Sequence, residues 1–171
     1  LKFTRDVVFI HIGYLPAPSS IGELKSKPLQ QSVSLLNSLG IQPDFIVCRA
    51  ERQVDKKRKE KIALASGVDI ENIISNPDSR TIYEVPLVLE AQSLPTKIIK
   101  RLGLKQGKFS LANWDRLIRN YKKPKKEILI AMVGKYQKTG DYILEDSYVS
   151  VVEALKHSSW IQGQTPKLLW L

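Results

Sequence analysis

Short β-branched apolar runs alternate along the chain with longer segments whose apolar residues recur at helical spacing. Val7-Val8-Phe9-Ile10-His11-Ile12 and Phe45-Ile46-Val47-Cys48 read as buried strands. Between them, Ser32 to Leu39 puts Val33, Leu36 and Leu39, with Leu35, on one helical face, and Gly40 supplies the stop. A second helix is expected over Lys56 to Ser66, closed by Gly67. Ile73-Ile74-Ser75 is a short third strand that ends in the turn composition Asn76-Pro77-Asp78-Ser79.

From Thr81 to about Leu104 the pattern stays helical but is broken by Pro86 and Pro95, which predicts two or three short helices. Leu111 to Tyr121 reads as another helix, with Trp114, Leu117 and Ile118 inward. The charged stretch Lys122-Lys123-Pro124-Lys125-Lys126 then reads as a domain linker. Beyond it, a strand at Ile128 to Val133, an amphipathic helix at Ser147 to Ser159 and a strand at Lys167 to Leu171 form a fresh β-α-β start. The alternation implies an α/β fold with mainly parallel strands, in two sheets, one on each side of the linker.

With 171 residues, the chain suffices for one ordinary domain or for one and a piece of another. Its 43% hydrophobic and 26% charged content fits a soluble globular protein. The longest apolar runs are far too short to cross a bilayer, and Leu1 to Asp6 shows no signal-peptide order. The single cysteine, Cys48, excludes an internal disulfide and suits a reducing cytoplasm. A start without Met and a finish inside an apolar run at Leu171 suggest a fragment. The formal charge of +10 favours anionic partners without choosing among nucleic acid, nucleotides and acidic proteins.

Open parallel sheets bind ligands beyond the carboxyl ends of their strands. There the first strand delivers Lys25, Lys27 and Gln30, the second Arg49, Glu51 and Arg52, the third Asn76-Pro77-Asp78, and the fourth Gly134-Lys135-Tyr136. Lys25-Ser26-Lys27-Pro28 reads either as a solvated basic loop with Pro28 in the first helical position or as a phosphate site at a helix start. Gln30 could add an amide that both donates and accepts. Arg52 to Lys61 has the charge of a nucleic-acid patch, but it lacks interleaved aromatics and is more economically a solvent-facing helix. Lys61, beside Ile62, Ala63 and Leu64, is expected to lay its stem near the core.

Cys48 reads as a small buried hydrophobe, His11 as a satisfied core histidine and His157 as a helix-end residue near solvent. Two histidines and one cysteine offer no metal-ligand spacing. No G-x-x-x-x-G-K-[ST], G-x-C-x-G or G-x-S-x-G occurs, so the chain carries no complete catalytic constellation.

Together "GELKSKPLQQSV", "GIQPDFIVCRAERQV", "EKIALASGV", "IYEVP" and "AMVGKY…DSYVSVVEALKHSS" resemble the CTP synthase family, in that family's order and across essentially the whole chain. Its G-E-x-K-T-K-P-T-Q-H-S-V, G-I-x-P-D-x-x-x-C-R, K-I-A-L and M-V-G-K-Y segments recur at similar separations. The resemblance implies an amidoligase domain of P-loop type that uses ATP and Mg²⁺ to phosphorylate the 4-oxygen of UTP. Ammonia from glutamine, released by a class I amidotransferase domain, then displaces the phosphate to give CTP. It also implies a cytoplasmic homotetramer with GTP as an allosteric activator, and no membrane or nucleic-acid partner. On this reading residues 1–105 are the later part of the amidoligase domain, 106–127 a helix and linker, and 128–171 the start of the amidotransferase domain.

By the same resemblance, Lys25, Ser26, Lys27, Pro28, Leu29, Gln30 and Lys61 contact UTP or CTP, the first six at a subunit interface. Pro77, Asp78 and Ser79, before Tyr83, contact the adenine of ATP, with Arg49 near that nucleotide. The sequence departs from the pattern at Ser26 and Leu29, where the family has Thr, and at Gln31, where it has His. Extra residues separate Tyr136 from Asp146, and Val149 stands where several relatives carry Lys in a region linked to GTP activation. The family's P-loop, Mg²⁺ carboxylates, nucleophilic Cys and His-Glu pair have no counterpart in these residues, so this chain alone is expected to be inactive. The rival reading is a basic, non-catalytic module that binds RNA or a protein through Arg52 to Lys61.

Overall fold

The computed structural model describes residues 6–19, 22–123, 126–135, 138–139, 142–143 and 145–171. Contacts divide the chain into two compact units, Leu1–Phe109 and Ser110–Leu171.

In the first unit three parallel strands, β1 (Ile10–Tyr14), β2 (Phe45–Ala50) and β3 (Ile73–Pro77), lie in the order β1-β2-β3. Helix α1 (Lys27–Ser38) connects β1 to β2, and α2 (Lys56–Ser66) connects β2 to β3. A 3₁₀ turn (Ile82–Glu84) leads into α3 (Val85–Glu90) and α4 (Leu94–Arg101), the short proline-broken helices expected after β3. Successive side chains of a strand point to opposite faces. Ile46, Cys48, Ala50 and Ile73 therefore join Leu29, Val33 and Ile62 in one core under α1 and α2. Phe45, Val47 and Ile74 join Leu94 in a second core, with Leu89 and Ile98 packed against it from α3 and α4. Helices thus cover both faces of β2 and β3, the arrangement buried parallel strands require.

Four expectations change. The first strand runs over Ile10–Tyr14 rather than Val7 to Ile12, because pairing Ile10 with Phe45 and Tyr14 with Arg49 sets its register. It is also not buried on both sides: Ile12 is 65% exposed on one face, while His11 and Gly13 face α1. Helix α1 starts five residues earlier than its apolar pattern suggested. Its inward stripe is therefore Leu29, Val33 and Leu36, and Leu35 and Leu39 turn to solvent. Pro28 occupies the second helical position, after Lys27.

Two polar devices fix the sheet. Asp44, with a side chain only 6% exposed, accepts from the Phe9 backbone N–H (3.0 Å) and from Arg101 Nε (2.9 Å). This joins the starts of β1 and β2 to the last turn of α4. On the outer edge of β3, the Gln92 carboxamide accepts from Ser75 N–H (2.8 Å) and donates to Ser75 C=O (2.7 Å). One side chain there makes the paired bonds that a further strand would make.

The second unit contains α5 (Ala112–Lys122), β4 (Lys126–Met132), α6 (Val149–Ile161) and β7 (Gln164–Trp170), with β4 and β7 parallel. A minor antiparallel pair, β5 (Lys138–Thr139) and β6 (Tyr142–Ile143), lies between β4 and α6 in the chain. The expected β-α-β is present, but its strands alternate in exposure, and Leu129 and Val133 lie open. The Tyr121 ring of α5 meets Trp160 of α6 edge-on at 5.1 Å. His157 is not a helix-end residue: it sits inside α6, half-buried, 5.6 Å from Trp160. Pro124 and Lys125 of the expected linker, and Tyr136, lie outside the described residues.

Asp44→Ala strips the acceptor from a backbone N–H and leaves Arg101 without its close carboxylate. We expect a loss of roughly 2–4 kcal/mol, read from the urea midpoint of unfolding. His11 Nε2 lies 2.8 Å from Ser32 Oγ, and burial holds its pKa below the ordinary 6.5. The folded protein therefore takes up that proton less readily than the unfolded chain. This contribution to stability is full above about pH 6.5 and is lost as pH falls through the lowered folded value. Between about pH 7 and pH 5 the midpoint is expected to fall less in His11→Gln than in the unsubstituted protein.

Candidate functional site

Parallel strands that start together also end together, and in the first unit the ends of β1, β2 and β3 line one edge. Beyond Tyr14 the chain turns back across it: Leu15 N–H donates to Arg49 C=O and Lys25 N–H to Pro16 C=O, each at 2.8 Å. Leu15 and Leu24 are buried and pin the two limbs of this connection to the core beneath. Its exit is fixed by a close approach. A Cβ placed on Gly13 would lie 2.0 Å from Leu29 Cδ1, so any larger residue there forces the buried Leu29 side chain to shift.

That turn holds the first expected cluster. Ser26 makes no capping bond to the α1 backbone, no acidic residue occupies the first turn, and Pro28 has no N–H. The Ser26 hydroxyl instead accepts from Gln30 Nε2 at 3.1 Å. Lys27 is exposed, and Lys25 Nζ lies 3.4 Å from Glu23 Oε2. The Lys25 contact, then the charges of Lys25 and Arg58, hold the Glu23 carboxyl below the usual carboxylate range. The Leu29 side chain is buried in the core, so at that position only the backbone is open to a ligand.

Lys61 is exposed on α2, contrary to the expectation that its stem lies near the core. The inward cations are Arg58 and Lys59, which share a helix face with buried Ile62 at spacings of four and three. Lys59 is half-buried, its Nζ 3.4 Å from Gln92 Oε1, and burial lowers its pKa. Arg58 donates to Leu24 C=O (2.6 Å), Glu23 Oε1 (2.5 Å) and the Asp55 carboxylate. Cys48 is wholly buried as expected, and burial pushes its thiol up to about 12, where no nucleophilic thiolate forms near neutrality.

The second cluster lies on the α3 face of the same edge. Arg49 Nη1 donates to Asn76 C=O (2.8 Å) and Pro77 C=O (3.1 Å), and Nη2 to Asp78 Oδ1 (2.7 Å). Asp78 N–H donates back to Ala50 C=O at 2.8 Å, closing the turn. Beside it opens a cleft of about 540 Å³ lined by Arg49, Asn76, Asp78, Ser79, Thr81, Ile82 and Val85. Asn76 is 7% exposed, and its Oδ1 has no hydrogen-bond partner among the described residues.

The structure thus brings Arg49 together with Pro77, Asp78 and Ser79, and Lys25 to Gln30 into one turn, while Lys61 stands apart on α2. Sequence reasoning missed the support beneath them. Arg58 could have been found from its i,i+3 spacing to the N-cap Asp55. Gln92 carries no local signal, because its partner Ser75 is seventeen residues away. In the second unit Lys135 N–H, just past β4, donates to Tyr148 Oη at 2.9 Å, and that ring fills the space beside Gly134. Among the described residues no group of three or more His, Cys, Asp or Glu is placed to hold a metal ion.

Residues 2–104 match the family described as CTP synthase N-terminus. The chain is 46% identical over 168 residues to a CTP synthase of Saccharolobus solfataricus, covering 97% of this chain and 30% of that protein. It is 44% identical to that of Symbiobacterium thermophilum, covering 97% of this chain and 30% of that protein. With that of Sulfolobus acidocaldarius the identity is 42%, covering all of this chain and 31% of that protein. The chain therefore spans about 30% of the length of these curated relatives. The matched segment takes in all three strands of the first unit and both polar clusters at their ends, and by it the chain belongs to the CTP synthase family.

Proposed function

We propose that this chain supplies part of the nucleotide-binding region of a CTP synthase, which converts UTP to CTP with ATP and glutamine-derived ammonia. The observation that carries the reading is the placement of two polar clusters on opposite faces of one strand-end edge. Lys25 to Gln30 sit on the α1–α2 face, and Arg49 with Asn76 to Ser79 on the α3 face. Two nucleotides bound there would direct their reactive ends towards each other over the edge of the sheet. Lys25 and Lys27 meet the UTP phosphates as mobile point charges, and the start of α1 adds its partial positive charge. Lys61 adds charge from α2, Gln30 orients the nucleotide, and Ser26, Pro28 and Leu29 shape the turn that holds it. Pro77, Asp78 and Ser79 present backbone and side-chain polar groups to the ATP base, with Arg49 holding their turn.

The chemistry transfers the terminal phosphoryl group of ATP to the pyrimidine 4-oxygen. Ammonia then attacks C4 and phosphate leaves with that oxygen. The described residues bind and orient, and none is placed to perform these steps. The Mg²⁺ implied by the family resemblance finds no ligand set among them, and no step here runs through it. Residues 1–105 belong on this reading to the amidoligase domain, 106–127 to a connecting helix and linker, and 128–171 to the start of a glutamine amidotransferase domain. The enzyme works as a cytoplasmic homotetramer in which the pyrimidine site is completed by a neighbouring subunit. No described helix is long and apolar enough to cross a membrane. The rival basic module loses ground because Arg52, Arg58 and Lys59 are turned to intramolecular partners.

In the full-length protein, Lys27→Ala is expected to raise the UTP concentration for half-saturation about tenfold, the scale of one charge-assisted contact. An unchanged value removes Lys27 from the site. Arg49→Lys keeps the charge but cannot span two carbonyls and a carboxylate. It is expected to raise half-saturation by ATP about tenfold while leaving UTP within twofold, measured by initial rates with the other substrate saturating.

A further inference from the structure

The bonds of Arg58 go to none of the expected ligand-binding residues, yet they hold the segment that leads into them. The Arg58 side chain is 19% exposed, and its three acceptors come from two places in the chain. Leu24 C=O and Glu23 Oε1 belong to the connection ahead of α1, while the Asp55 carboxylate caps α2 and also accepts from Arg58 N–H at 3.0 Å. Arg52 adds a bond to Gly22 C=O. Between Gly22 and Lys27, then, the chain is fastened to the start of α2 by side chains rather than by regular backbone pairing. Glu23 is shared: one carboxylate oxygen faces Arg58 and the other Lys25. In the structure Lys25 is therefore already paired, and its partner is anchored from the far side.

We propose that Arg58 is a positioning residue for the pyrimidine nucleotide: it anchors Glu23 and Leu24 so that Lys25 and Lys27 are presented in a fixed turn. Glu23 serves as the counter-charge that Lys25 gives up when a polyphosphate arrives. Arg58 retains the carboxylate after that exchange, so the freed anion does not swing into the ligand's path. Without the guanidinium, the Glu23 side chain loses its second cation and the Gly22–Lys27 segment loses its tie to α2. Ordering that segment must then be drawn from the binding free energy of the nucleotide. The ATP-side turn is held by Arg49 instead, so the effect is confined to one substrate.

This inference rests on the UTP reading of Lys25 to Gln30, and the test separates the two. Arg58→Met, Arg58→Lys, Lys27→Ala, Glu23→Gln and the Glu23→Gln/Arg58→Met double variant are made in the full-length protein. Half-saturation by UTP and by ATP, kcat and the thermal midpoint are measured for each. Arg58→Met is expected to raise half-saturation by UTP about fivefold to tenfold, with ATP and kcat within twofold. Arg58→Lys, with one compact donor group in place of the fork, is expected to recover part of that loss. In the Glu23→Gln background, adding Arg58→Met is expected to cost less than half as much as alone, because the shared carboxylate is already gone. A rise for UTP in Lys27→Ala but not in either Arg58 variant overturns the positioning role and leaves the site intact. No rise for UTP in Lys27→Ala overturns the site reading itself. Equal shifts for UTP and ATP with a lowered thermal midpoint make Arg58 a general structural residue and overturn the proposal.

Discussion

Parallel pairing of β1, β2 and β3 is the constraint on which the first unit depends. It obliges the chain to leave each strand at one edge and travel back along the whole sheet before starting the next. The return runs as helices that need an apolar stripe, and the departure leaves polar backbone at the strand ends without a regular partner. Arg49 answers that need at the end of β3, where its fork takes two carbonyls and a carboxylate. At the end of β1 the need is met by backbone bonds from Leu15 and Lys25. The groups left over along this edge are those with chemistry to offer.

The supports differ in kind from what they support. Leu15, Leu24 and Leu29 are held by apolar burial, each contributing about 2 kcal/mol, which is non-directional and tolerant of small shifts. Arg49, Arg58 and Gln92 are held by several directed bonds at once, which fixes geometry more than it adds stability. A turn that must present ammonium groups to a ligand gains from the second kind, since disorder in the free protein is subtracted from the affinity.

Much of the fold was legible because its signals are local. The α/β alternation, the stops at Gly40 and Gly67, the breaks at Pro86 and Pro95 and the β-α-β after Lys126 all come from periodicity or turn chemistry. What escaped depends on partners remote in sequence. The ends of β1 follow from its register with Phe45–Ala50, which no pattern within residues 7–14 encodes. The inward lysine of α2 was misplaced by two positions, because the unbroken charged run Lys56 to Lys61 gave the first half of the helix no apolar marking. At the candidate site the motif residues were visible, whereas Glu23, Arg58, Asn76 and Gln92 acquire their roles only once loops and strands meet.

The Gln92 carboxamide has a meaning for growth of the sheet. A strand edge with bare N–H and C=O groups invites any extended segment to dock, from the same molecule or another. On the β3 side Ser75 is already saturated by an amide that cannot propagate further, and Pro77 at the strand's end has no N–H to offer. On the opposite border, Ile10, Ile12 and Tyr14 carry exposed side chains on one face of the sheet. At Ser75, growth of the sheet beyond β3 is thus blocked by a single side chain.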